Sequence, residues 1–489
     1  MSKNIIVIGS GFSGLSAAAY LAKAGNKVTI LEKNDSPGGR ARKMNVSGYQ
    51  FDMGPSWYWM PDVFDHFFAD FGKKVSDYYE LLRLDPGYKI VFGPNEEMSV
   101  PADYEELKAL FESYEKGAAD KLDQFMKEAA YKYEVGMGEF VFKPSHNIME
   151  FADLRVLASL FKLQMLSSVT TQVEKLFQHR HLRELLKFPV LFLGATPEDT
   201  PAMYTLMNYA DLKLGTWFPL KGMFQIVEAM VELNQSLGVE IKTDHVVERL
   251  EVNQKNITTI HTNKGNFQAD IVVASADYHH VEQKLLDAPY RMYTEEYWNK
   301  RTMAPSSILY YIGVTKKLDK LLHHNLFFDE DFKVHAHEIY KDAQWPSKPL
   351  FYACLASKTD SNCAPEGHEN LFLLIPVAPD LKDDPQIKEK YFHMIMDRLE
   401  AYCETDIRNH IDYRRDYAHS DFIQDYNAYK GNAYGLANTL MQTAFLKPKL
   451  KSSKVKNLYY TGQLTTPGPG VPPAIISGKV VATEISKQR

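Results

Sequence analysis

The chain of 489 residues is 45% hydrophobic and 24% charged, carries 27 glycines and 24 prolines, and has a net charge of -6. This balance excludes a disordered or collagen-like chain, and its well-mixed signs leave no long basic block to track a nucleic-acid backbone, so nucleic acid is not an expected partner. The length predicts at least two packed units around a large buried core.

Cys354, Cys363 and Cys403 form no CxxC pair and no complete disulfide set, and no signal peptide precedes Ile5, which fits a reducing cytosol. No apolar run reaches the roughly 18 residues of a spanning helix, so the chain is expected not to cross a membrane but is free to lie on one. Aromatic residues make up 12%, with 29 Tyr and 27 Phe, a content that suits a large core and a large apolar pocket alike.

The first elements lie in NIIVIGSGFSGLSAAAYLAKAGNKVTILEKNDSPGGRA, residues 4–41. Ile5 to Ile8 is a short β-branched apolar run of the kind that makes a buried parallel strand. Gly9, Gly11 and Gly14 follow in GxGxxG spacing, and Leu15, Ala18, Ala19, Leu21 and Ala22 give an apolar helix face that ends at Gly25. Val28 to Leu31 predicts a second strand, closed by Glu32. Gly9 permits the tight turn, Gly11 lets backbone approach a diphosphate, and Gly14 lets helix and strand pack closely, so the diphosphate rests on the helix N-terminus. Glu32 is placed to accept hydrogen bonds from ribose hydroxyls. Strand, turn, helix, strand and acid in this order predict a bound dinucleotide. The continuation to Gly38, Gly39 and Arg40 adds backbone freedom and a fixed cation suited to phosphate. FDMGPSW, residues 51–57, is a further glycine-containing turn.

After a long excursion, residues 223–237 show helical periodicity ending at Gly238, and residues 239–241 and 246–252 alternate like strands. QADIVVASAD, residues 268–277, reads as another buried strand, which returns the chain to the dinucleotide sheet. The last cluster, KNLYYTGQLTTPGPGVPPAIISGKVVATEI at 456–485, predicts a strand at 458–460, Gly462, a Pro/Gly-rich turn and a helix from about Ala474. Its N-terminus is a second place for a ligand's negative charge, made rigid by the prolines before it.

In this order and at these distances from the termini, the three clusters resemble the bacterial and fungal type of carotenoid desaturase, the phytoene desaturase family. LLRLDPGYKIVFGPNEEMSV (81–100) and GNAYGLANTLMQTAFLKP (431–448) resemble further segments of that family, and the likeness spans almost the whole chain. The resemblance implies an α/β fold: a Rossmann-like FAD-binding domain, an amine-oxidase-like mixed α+β substrate domain and a helical membrane-associating portion. On that pattern FAD binding is shared by residues 1–75, 215–300 and 451–489. Residues 76–214 and 301–450 make the substrate domain, the former including the membrane-associating part. It further implies FAD as cofactor, a hydrophobic tunnel for a carotenoid, attachment to one membrane face from the cytoplasm, and oxygen or a quinone as electron acceptor. Carried onto matching positions, the FAD contacts are Gly9, Gly11, Gly14, Glu32, Lys33, Gly39, Arg40, Gly54, Pro55, Ser56, Val247, Gly462, Gln463 and Pro473, with the Val247 backbone at the adenine. The chain departs from the family at Lys221-Gly222, where relatives carry a Gly-Gly pair, and at Val471-Pro472-Pro473 near the end.

Desaturation removes two hydrogens from adjacent carbons, and an apolar polyene binds mainly by burial, so few catalytic residues are expected. The family comparison points to Arg155, with Asp153 as its nearest acidic companion, as an acid/base pair; otherwise the two are a solvated pair at a helix end. Leu154, Leu157, Leu160, Phe161, Met165 and Leu166 form a broad apolar face beside Arg155 and Lys162, which fits a core position and a membrane interface alike. EEYWNKRTM, residues 295–303, is another interfacial candidate, Tyr297 and Trp298 adjoining Lys300 and Arg301. His335 and His337 alternate, so a strand would put them on one face near Glu338, but no fourth ligand has metal spacing and no metal is expected. The pairs His279-His280 and His323-His324 read as polar surface. No GxSxG elbow surrounds a serine, so hydrolysis has no support.

Two substrate classes remain open within desaturation: phytoene-like acyclic carotenes, and carotenoids with a hydroxyl or ring at one end that undergo 3,4-desaturation. Lys221 tilts toward the second if it lies beside the tunnel. An isomerase working with reduced FAD, an FAD-dependent amine oxidase, and a non-enzymatic binder of isoprenoid-modified proteins stay as alternatives.

Overall fold

The computed structural model describes residues 2–145, 164 and 167–487. In chain order its principal elements are β1 (Asn4–Ile8), α1 (Phe12–Lys23), β2 (Lys27–Leu31), β3 (Tyr88–Gly93), β4 (Glu96–Val100), α2 (Phe224–Ser236), β5 (Glu240–Lys242), β6 (Ile271–Ala274), β7 (Ser306–Val314), β8 (His324–Phe327), β9 (Phe351–Cys354), β10 (Glu369–Val377), β11 (Ile411–Tyr417), β12 (Leu458–Tyr460) and α3 (Val471–Ser486).

A five-stranded sheet runs β12-β6-β1-β2-β5, with every neighbouring pair parallel. The continuous apolar runs of β1 and β6 follow from burial on both faces, which leaves no polar side to alternate. Because β2 lies on one side of β1 and β6 on the other, the connections leave in opposite directions and open a crevice at the carboxyl end of β1. α1 covers the sheet, and α3 lies against it at backbone contact. A Cβ on Gly478 would sit 2.5 Å from the Ser13 carbonyl oxygen and 2.7 Å from the Ala17 nitrogen. Ala17, Ala18 and Ala19 are wholly buried, and Ser16 Oγ donates to the Ile475 carbonyl at 2.7 Å.

A seven-stranded sheet runs β11-β7-β10-β9-β8-β3-β4, antiparallel except where β8 meets β3. β7 is buried along its whole length. Ile308, Tyr310 and Ile312 on one face join Ile395 and Leu399 of the helix Pro385–Cys403 in one core, while Leu309 and Tyr311 point the other way into an aromatic core with Phe51, Trp59 and Tyr88. The Tyr311 hydroxyl donates to the Met53 carbonyl at 2.9 Å, which fixes the 51–57 segment to this sheet.

Several expectations are corrected. His335 and His337 lie on a helix, Phe332–Tyr340, because Asp331 caps it by accepting from Lys333 N and Val334 N. His335 is buried with both ring nitrogens engaged by Pro376 O and Leu350 N, and His337 is exposed. Trp298 is wholly buried, packed with Tyr278 and Tyr293, so the 295–303 segment is no interfacial anchor. His323 and His324 are core residues rather than polar surface: β8 pairs His324 with Cys354, and the His324 ring stacks nearly parallel on Trp57, centroids 4.2 Å apart. Burial pushes the His323 imidazole down to about 3 and holds His324 well below the ordinary histidine value, so both are neutral. Asp153, Arg155 and their apolar face through Met165 and Leu166 lie outside the described residues. No helix among the described residues is long and apolar enough to cross a membrane.

The Lys221 side chain is exposed, so it does not reach an internal tunnel. Its departure from glycine is instead felt in the backbone, which holds Lys221 at φ +72° and Gly222 at φ +97°. The two left-handed residues bring Met223 N and Phe224 N to the Asp52 carboxylate at 2.8 and 3.1 Å, a cap for α2 supplied from a distant strand. Lys221→Gly relieves the left-handed strain and is expected to raise stability by about 0.5–1 kcal/mol, read as a higher denaturant midpoint at unchanged slope. Gly222→Ala, whose Cβ would sit 2.8 Å from Asp52 Oδ2, is expected to lower it.

Candidate functional site

The site is built at the carboxyl ends of β1 and β2. Gly9, at φ +97°, turns the chain so tightly that its added Cβ would lie 3.2 Å from Ala276 N; a Cβ on Gly14 would lie 2.1 Å from the Gly9 oxygen. Gly11 differs. It is the N-cap of α1, has φ -65°, makes no side-chain cap, and has nothing within 4 Å of where its Cβ would be. The helix therefore presents its free N–H groups to an open space. Glu32, 4% exposed, accepts from Ser10 N at 2.8 Å, Ser10 Oγ at 2.6 Å and Asn34 N at 2.8 Å. Three donors fix the carboxylate and still leave acceptor capacity for a ligand hydroxyl.

The second turn lies on the first: Gly38 N donates to the Ser10 carbonyl at 3.0 Å, and a Cβ on Gly39 would touch Gly11 Cα at 3.0 Å. This places Arg40, half-buried, beside the open space. Its Nη2 makes one long hydrogen bond to the Asn432 carbonyl, 3.3 Å, its guanidinium faces the Tyr426 ring at 5.5 Å, and its Nε is buried without a partner. Burial lowers its pKa, and the charge of Asp277 partly offsets this. No carboxylate pairs with Arg40 among the described residues. A cation so placed fits an anionic ligand.

The remaining carried-over positions converge on the same belt, with one exception. A Cβ on Gly54 would lie 2.1 Å from the Arg40 carbonyl oxygen, so Pro55 and Ser56 follow directly beside the guanidinium turn; Ser56 Oγ accepts from the Tyr352 hydroxyl at 3.1 Å. Gly462, at φ +112°, backs onto Ser13 and donates to Ser477 Oγ at 3.0 Å. Gln463 Nε2 lies 3.5 Å from Asn432 Oδ1. Pro473 sits in the first turn of α3, which begins at Val471 rather than near Ala474, and Gly470 caps that helix with no side chain. Val247 starts a strand two residues after His245, whose N donates to the Glu32 carbonyl at 2.8 Å. The exception is Lys33, whose ammonium turns away to the Gln424 carbonyl.

Sequence reasoning missed Asn432. Its carbonyl holds Arg40, its Oδ1 accepts from Gly435 N at 2.7 Å and meets Gln463, and its Nδ2 donates to the Tyr429 carbonyl at 2.6 Å. It lies in the 431–448 segment already marked by resemblance. A separate cavity of about 340 Å³ lies beyond the first turn of α3, walled by Val63, Phe67, Tyr133, Met137, Phe142 and Ile476.

Two uncapped helix N-termini, an open space at Gly11 and a half-buried guanidinium that pairs with no carboxylate among the described residues fit the diphosphate of a dinucleotide. Residues 12–486 match the flavin containing amine oxidoreductases. The chain is 41% identical to a carotenoid 3,4-desaturase of Haloarcula japonica, over 98% of this chain and 97% of that one. It is 32% identical to a phytoene desaturase of Fusarium fujikuroi, over 100% and 90%. Among solved structures, an oxidoreductase from Methanosarcina mazei aligns with TM-score 0.61 at 15% identity, over 97% of this chain and 99% of the other, a likeness of fold. The chain belongs to the flavin containing amine oxidoreductase family, on its carotenoid and phytoene desaturase branch, and is an FAD-dependent enzyme.

The glycine geometry separates two outcomes. Gly11→Ala is expected to leave apoprotein stability within about 0.5 kcal/mol, since its Cβ enters open space, yet to weaken FAD binding at least tenfold by flavin fluorescence titration. Gly14→Ala is expected to destabilise the apoprotein itself, because its Cβ meets Gly9 backbone.

Proposed function

We propose that this enzyme introduces C=C bonds into a carotenoid, with 3,4-desaturation of a 1-hydroxylated or monocyclic carotenoid as its leading reaction and phytoene-type desaturation as the second reading. The observation that carries the proposal is the full-length, 41% likeness to a carotenoid 3,4-desaturase. Lys221 lends no weight to the choice, because its side chain is exposed.

In this reading Glu32 holds the ribose hydroxyls of FAD. The N-termini of α1 and α3, with Arg40, hold the diphosphate. Gly39, Gly54, Pro55, Ser56, Gly462, Gln463 and Pro473 line its course, and Val247 backs the adenine. Bound FAD supplies the acceptor for the hydride that leaves one carbon, while the neighbouring carbon releases a proton to a base or to water. The chain's own work is to bury, align and dry the polyene: Trp57, Tyr88, Phe188 and Tyr352 make edge and tilted ring contacts beside Ser56, an apolar wall that excludes water from the reacting carbons. Arg155 with Asp153 is assigned the acid/base role, with oxygen or a quinone as the final acceptor. The apolar face around residues 154–166 is assigned to one membrane surface on the cytoplasmic side, from which the lipid substrate enters.

Incubation of the FAD-loaded enzyme and liposomes with phytoene, or with a 1-hydroxylated acyclic carotenoid, is expected to give products lighter by two hydrogens or a multiple, with the hydroxylated substrate turned over faster. Unchanged mass with a shifted cis/trans retention time assigns the protein to isomerisation, and peroxide release with an amine assigns it to amine oxidation.

A further inference from the structure

We propose that His323, His324 and Cys354 form a buried three-ligand site for a zinc-class transition-metal ion. One ligand atom from each lies within 4.8 Å of the other two, and all three side chains are buried. The centre of such a triangle is at most about 2.8 Å from each corner, so bonds of about 2.0–2.1 Å to imidazole and 2.3 Å to thiolate need each donor to move inward by at most about 0.8 Å.

The hydrogen bonding around the cluster selects lone pairs for the interior. His324 Nδ1 lies 2.6 Å from the Tyr352 hydroxyl, which itself donates to Ser56 Oγ. With Nδ1–H as the donor to that hydroxyl, Nε2 is left as a bare lone pair; the same hydroxyl bonds the Cys354 thiol, a bond that metal binding would replace. His323 Nδ1 is anchored 2.7 Å from Thr359 Oγ1. Both Nε2 atoms are shut off from solvent and have no hydrogen-bond partner. Outer-shell hydrogen bonds on one ring nitrogen and a free lone pair on the other are what a metal-ligating histidine requires. The rings are also locked against rotation, His324 by stacking on Trp57 at 4.2 Å and His323 by the edge of Phe218 at 4.6 Å.

Sheet register supplies the third donor. His324 and Cys354 are directly opposed on β8 and β9, so both side chains leave the same face. Two imidazoles and a sulfur suit zinc, and binding releases one proton as the Cys354 thiol becomes a metal thiolate. A cavity of about 20 Å³ lined by His323, Cys354 and Asp52 adjoins the site and has room for one water as fourth ligand. The ion would tie β8 to β9 and, through His324, hold Trp57 next to Ser56, which makes its role structural.

The test uses the full-length, FAD-loaded protein. Elemental analysis, as purified and after addition of Zn²⁺, is expected to give close to one metal per flavin. Replacement by Co²⁺ is expected to give tetrahedral d–d bands to the red of the flavin absorption and a sulfur-to-cobalt charge-transfer band. Cys354→Ser should lose the charge-transfer band and most of the metal, while Cys363→Ser and Cys403→Ser keep both, so the thiolate is assigned even if a histidine variant fails to fold. Less than about a tenth of an equivalent of metal in the wild-type holoenzyme, with no cobalt bands, overturns the proposal and leaves the cluster holding water alone. Metal retained in folded, flavin-bound Cys354→Ser and His323→Gln overturns it as well.

Discussion

A half-buried arginine that, among the described residues, pairs with no carboxylate is the constraint around which the rest is arranged. Removing a guanidinium from water is costly unless hydrogen bonds or an opposite charge replace the lost hydration, and Arg40 has one long bond, a ring face and an unpartnered Nε. The segments that approach it do so as bare backbone. Gly39 rests on Gly11 and Gly54 on the Arg40 carbonyl, at distances a side chain would forbid. The positive ends of α1 and α3 add to the same field. This corner lacks a counter-charge of its own, and the diphosphate of FAD, in the reading proposed above, would supply it.

The two sheets divide the labour. The parallel sheet makes the anion site because all its strands end on one side, where helix N-termini gather. The mixed sheet contributes walls instead, its alternating faces sending one set of side chains to the Pro385–Cys403 helix and the other to the aromatic core around Trp59 and Tyr88. Segment 51–57 belongs to both, held by Arg40 through Gly54 and by Tyr311 through Met53. That double attachment puts the cofactor corner and the aromatic wall in fixed relation.

What could be read from the sequence was whatever depends on local periodicity. β1, α1, β2 and β12 appear where apolar runs and glycine spacing put them, and α3 starts three residues earlier than expected only because prolines fit a first helical turn. The errors arise where distant residues decide. His335 reads as alternating until Asp331 is recognised as a cap, and Trp298 reads as amphipathic until Tyr278 and Tyr293 enclose it. A histidine pair looks polar in isolation; only the β8–β9 register shows His324 facing Cys354. Asn432 carries no pattern of its own, since its role is to bond groups from residues 40, 429, 435 and 463.

The packing of α3 on α1 bears on the order in which the molecule is made. The wall that the glycine turn needs at Ser13 and Ala17 is Gly478, far along the chain, and β12 must also arrive to sit beside β6. Until those residues are made, the small-residue face of α1 lacks its partner α3, while the strands of the 306–417 sheet already precede them in the chain. Closure of the cofactor corner is therefore a contact of very large sequence separation, the kind whose loop-closure cost must be met before it is rewarded.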